Sequence, residues 1–111
     1  MSKIINITSA TTTTLLAKTD FSVYSATNKR GSNNATVSKI IVANTSTNAA
    51  TITIVVYETA GDNTSFTLVR NLVIPAAVTF VWEEEFSFNV STHDLKITNS
   101  GTSPGLTVIT N

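Results

Sequence analysis

Apolar residues recur at every second position through most of the chain, and that period admits extended strands while excluding amphipathic helices, whose apolar stripe needs a period near 3.6. In residues 51–58, TITIVVYE, Ile52, Ile54 and Val56 fall on one face, and Thr51, Thr53, Val55 and Tyr57 on the other. The same alternation runs through residues 21–26, 36–44, 65–70, 78–82, 86–90, 94–98 and 106–110. The polar positions between the apolar ones are filled by Thr, Ser and Asn, with 21, 12 and 11 copies, in a chain of 111 residues. β-Branched Thr suits a pleated surface, and Asn and Ser suit turns.

The punctuation supports many short strands. Residues 36–44 are followed by the polar, small-residue stretch 45–49 and then by 51–58, a spacing that predicts a hairpin between the two. Gly61, Asp62 and Asn63 mark a turn before residues 65–70. Pro75 cannot donate a ladder hydrogen bond and closes one strand before residues 78–85 begin another. Eight to ten short strands at roughly ten-residue spacing predict an all-β fold, an antiparallel β-sandwich or a jelly-roll-like barrel. Residues 20–111 form its single domain, and residues 1–19 an extended N-terminal arm or an edge strand. No helix longer than about two turns is expected.

Little in the residues supports catalysis. The chain has no cysteine, so disulfides, thiolate metal sites and a Cys nucleophile are excluded. The single histidine, His93, precedes Asp94, but neighbours on an extended chain point to opposite faces, so the two read as a turn and not as a base with its orienting carboxylate. Glu83, Glu84 and Glu85 lack the Asp and Gly spacing of a calcium loop, and alternation divides them between two faces unless the strand bulges. No phosphate-binding or nucleophile-elbow motif occurs. The expectation is a non-enzymatic protein with no cofactor. A net charge of zero gives no field for nucleic acid or for an anionic membrane. The short apolar run at residues 4–7 is too brief for a signal peptide, which predicts synthesis in a cytoplasm.

What remains is contact with protein. Residues 1–50 carry a net charge of +4 and residues 51–111 one of −4, an asymmetry that a sandwich interleaving both halves cancels and that a head-to-tail contact between subunits would use. Lys29 and Arg30 in the first half and Glu83, Glu84 and Glu85 in the second are therefore candidate subunit contacts, beside the apolar Ile4, Ile5, Ile7, Leu15 and Leu16 of the N-terminal segment. Trp82, Tyr24 and Tyr57 are the aromatics that a carbohydrate-binding sandwich would expose, although core packing accounts for Trp82, Phe80 and Phe86 more simply.

Three stretches also carry a resemblance: IIVANTSTNAATITIVVYE at residues 40–58, LVRNLVIPAA at 68–77 and HDLKITNSG at 93–101. Together they resemble a type of small structural protein of tailed bacteriophages, especially those of cyanobacteria and other marine bacteria. Similar sequences often carry Gly where His93 and Ala77 stand here. The resemblance implies a virion component present in many copies and made in the host bacterial cytoplasm. A capsid cement or decoration protein, homo-oligomeric (for instance a trimer) and seated on the major capsid protein, is the leading expectation. A tail, neck or baseplate subunit and a tail-tip carbohydrate- or receptor-binding module are the alternatives.

Overall fold

The computed structural model describes residues 2–17, 20, 34–59, 65–101 and 104–111. These form ten strands: β1 (Lys3–Ile7), β2 (Thr12–Leu16), β3 (Asn34–Val37), β4 (Ile40–Asn44), β5 (Ala50–Glu58), β6 (Phe66–Ile74), β7 (Thr79–Trp82), β8 (Phe86–Asn89), β9 (His93–Ser100) and β10 (Leu106–Thr110). All pairings are antiparallel and no α-helix occurs among the described residues, so the all-β sandwich expected from the alternation is what the chain forms. Residues 21–26, expected as a further strand, lie outside the described residues, as do Tyr24, Lys29 and Arg30.

The pairing is nested. β1 pairs with β10, β2 with β9, β3 with β8, β4 with β7 and β5 with β6, as in one long hairpin whose tip is the β5–β6 connection. Rolling that ribbon up adds β10 beside β4 and β9 beside β5. The result is two four-stranded sheets, sheet A in the order β1-β10-β4-β7 and sheet B in the order β2-β9-β5-β6, with β3 and β8 as a two-stranded extension. This is jelly-roll connectivity, in which the ribbon passes from one sheet to the other at each corner.

Residues 36–44 and 51–58 do not form the hairpin their spacing predicts. β4 lies in sheet A and β5 in sheet B, and residues 45–49 arch between the sheets. Asn44 shapes the arch. Its Oδ1 accepts hydrogen bonds from the Ser46 N–H and hydroxyl at 3.1 and 2.8 Å, and its Nδ2 donates to the Asn48 carbonyl at 2.9 Å. An Asx turn of this kind bends the chain out of its own sheet, a choice that loop length alone does not reveal.

The core lies between the sheets. Ile52, Ile54, Val56, Leu95 and Ile97 of sheet B meet Ile40, Val42, Leu106 and Val108 of sheet A, all buried. Residues 3–7 and 12–16 both pair within the chain, as edge strands of sheets A and B. In β2 the ladder slips between Thr14 and Leu16, and that bulge lets the consecutive Leu15 and Leu16 both enter the core.

Candidate functional site

With the core filled from inside, the outward residues of the two sheets decide what the molecule can touch, and they differ in chemistry. On sheet A the alternation sends Ile4, Asn6, Ile41, Ala43, Thr79, Val81, Thr107 and Ile109 outward. The register then aligns them. Ile4 stands opposite Ile109, Ile109 opposite Ile41, and Ile41 opposite Val81, an unbroken aliphatic row across all four strands. The next row, Asn6, Thr107, Ala43 and Thr79, is neutral as well. Ile4 is 65% exposed and Val81 41%, unusual for large aliphatics at two ends of one row.

Sheet B turns polar groups outward. Thr12, Thr98 and Thr53 are aligned in register, with the Thr12 and Thr98 hydroxyls 2.9 Å apart. Asn71 extends that row, its N–H donating to Thr53 Oγ1 at 3.1 Å. Beside it run Thr14, Lys96, Val55 and Thr67, and Lys96 Nζ sits 4.4 Å from the centre of the Tyr57 ring. The outer face of sheet B thus mixes hydroxyls, Lys96 and Asp94 with Val55, Tyr57 and Val73, whereas on sheet A the aliphatic row is continuous across all four strands.

The second feature is a groove of about 240 Å³ where β6 and β8 leave the sandwich open, lined by Val56, Phe66, Leu68, Phe86, Ser87, Phe88, Asn89 and His93. Phe86 stacks on Phe88 with ring centres 6.3 Å apart, and Trp82 meets Phe86 edge-on at 6.5 Å. Phe66, 62% exposed, stands 6.2 Å from the His93 ring at the rim. The rim's polar atoms already have partners: Ser87 Oγ lies 2.9 Å from Thr36 Oγ1, Asn89 Oδ1 accepts from the Ser91 N–H and hydroxyl, and His93 Nδ1 lies 2.8 Å from Thr92 Oγ1. The groove wall is therefore mostly apolar. His93 opens β9 and is half-buried; Asp94 faces the other side, opposite Tyr57.

The proposed contact residues separate. Of the five apolar ones only Ile4 faces outward; Ile7, Leu15 and Leu16 are buried and Ile5 packs against the core, because β1 and β2 lie over the chain's own interior. Glu83, Glu84 and Glu85 are exposed at the corner between β7 and β8. There the pairing passes from Ile40–Trp82 in sheet A to Val37–Phe86 in the two-stranded extension, and the three glutamates connect β7 to β8 opposite Ser38 and Lys39. Trp82 Nε1–H donates to the Glu84 carbonyl at 2.8 Å, and the Ser38 and Lys39 N–H groups donate to the Asn111 carbonyl. No three of His, Asp and Glu among the described residues are placed to hold a metal ion.

Alternation implied an outward face on each strand, but Ile41 and Ile109, which complete the row, carry no local signal that distinguishes them from core residues. Phe66 as a groove wall was equally hidden. The chain matches no protein-family model, and comparison with curated proteins and with solved structures finds no match.

Proposed function

We propose that this chain is a non-enzymatic structural protein of a phage virion, a capsid cement or decoration protein that stabilises the head through subunit packing. The observation that carries the reading is the outer face of sheet A, where an aliphatic row crosses the whole sheet without a charge. Such a face is stable in water only at the cost of exposed apolar surface, and burial against protein removes that cost. The resemblance of residues 40–58, 68–77 and 93–101 to small phage structural proteins supplies the setting.

Quantitative mass spectrometry of purified particles tests it. Hundreds of copies per particle support the head, and about a dozen place the chain in the tail, neck or baseplate instead. A chain missing from the particles overturns the virion reading.

A tail-tip receptor-binding module is the second reading, favoured by the exposed Phe66 beside the apolar groove. Neither Trp82, half-buried over Phe86, nor Tyr57, under Lys96 on sheet B, borders that groove. This reading requires glycan or receptor binding that Phe66→Ala weakens; a glycan array and a host-surface binding assay without signal remove it.

A further inference from the structure

We propose that the outer face of sheet A is a two-fold contact between two copies of this chain, stacked back to back with strands aligned. The proposal rests on the reading of that face as a contact surface and names what covers it.

Two properties select a second copy. The aliphatic row runs from one edge strand to the other, so it presents apolar surface at both ends and matches itself when reversed, as a two-fold contact requires. The outward positions of that row and of the row from Asn6 to Thr79 carry no charge, so stacking two copies there brings no like charges together. The size of the face sets the strength of the pairing and not the choice of partner. Four strands about 4.8 Å apart and about five residues deep span roughly 19 by 17 Å. Two copies would thus cover roughly 650 Å² by this face, the range of weak, concentration-dependent pairing.

The rows also select the axis. A two-fold parallel to the strands, passing between β10 and β4, sets Ile4 over Val81 of the other copy and Ile109 over Ile41. It lays the neutral row Asn6, Thr107, Ala43 and Thr79 over itself. The strand-parallel axis matches like with like, at the sheet spacing of about 10 Å seen inside sandwiches.

A charge swap tests this arrangement. Ile4 and Val81 lie on opposite edges of the sheet, three strand spacings or about 14 Å apart, so Lys and Glu placed there cannot pair within one chain. Both positions are exposed, and thermal melts of each variant check that the fold is intact. In sedimentation equilibrium from about 5 μM to 500 μM, the full chain should pass from monomer to dimer. Ile4→Lys and Val81→Glu should each weaken pairing about tenfold or more. The double variant I4K/V81E should recover it, since each copy then offers Lys to the other's Glu.

A chain monomeric at about 500 μM overturns the proposal and leaves the face to a different protein. Dimers unaffected by either single substitution overturn it by placing the contact elsewhere. Loss in both single variants without recovery in the double overturns this two-fold. Particle incorporation of the same variants is scored separately: a monomeric chain still present in virions defeats the pairing and keeps the virion reading, whereas a dimer absent from virions does the reverse.

Discussion

Asn44 shows how much one side chain can organise. Buried to 2% exposure, it donates to the carbonyls of Asn48, Ile74 and Pro75 and accepts from Ser46, tying the arch after β4 to the turn after β6. Gly101 packs against the same arch: its φ is +143°, and a Cβ there would stand 2.9 Å from the Ala49 carbonyl oxygen. Residues from β4, β6 and the turn after β9, far apart in the chain, thus meet at one corner of the sandwich. Asn44→Ala would orphan several of these buried groups, and we expect a loss of about 2–4 kcal/mol. Calorimetry should show the midpoint falling by roughly 10–20 °C. At Ala77 the sign reverses. The Val78 N–H bonds the Pro75 carbonyl across a β-turn, and Ala77, its third residue, has φ of +61°. That position favours glycine, so Ala77→Gly should stabilise by about 0.5–1 kcal/mol in denaturant melts despite glycine's freer unfolded chain.

At the level of elements, the edge strands carry the irregularities. β6, the long edge of sheet B, slips register twice against β5; Asn71 takes φ of +51° at one slip, and Leu68 and Val69 both turn partly inward near the other. Such bulges twist the edges of sheet B away from the flat geometry that invites pairing with another sheet. β1 is tied at its start. Lys3 Nζ reaches Asp20 Oδ1 at 2.9 Å, and the Ala17 N–H donates to Asp20 Oδ2 at 2.8 Å. Partial burial pushes the Asp20 carboxyl up, but hydrogen bonds from Lys3 and Ala17 and the lysine's charge outweigh it and hold the group below its usual value of 3.8. A depressed carboxyl contributes stability above its unfolded value, near 4, and that stability disappears as pH falls through the lower folded value. Thermal melts of the native chain and of Asp20→Asn should therefore differ at pH 5–7 and converge as the pH drops below about 4. A gap that persists unchanged to pH 2 would contradict this account.

The whole molecule is defined by nesting. Because β1 pairs with β10 and β2 with β9, the outermost ladders join the most distant parts of the chain, and their closure entropy must be overcome before their contacts stabilise anything. Refolding followed by Trp82 fluorescence should occupy milliseconds to seconds, with no microsecond phase accounting for the full amplitude. The two uncharged rows of sheet A give a second expectation at this scale: self-association through them should change little with salt between about 0.05 and 0.5 M, since neither row contains a charge to be screened. Much of the architecture is local and was readable as sequence. Alternation at Ile52, Ile54 and Val56 or at Leu95 and Ile97 identifies strands and their inward faces, because side chains on an extended backbone must alternate. Pro75 marks a strand end for an equally local reason. The sheet to which each strand belongs is a different matter. The arch at residues 45–49 was as compatible with a hairpin as with a crossing, until Asn44 was seen bonding three carbonyls from two loops. The aliphatic row depends even more on the tertiary fold: Ile4, Ile41, Val81 and Ile109 each look like ordinary strand residues, and only the register of four strands distant along the chain sets them side by side on the same outer face.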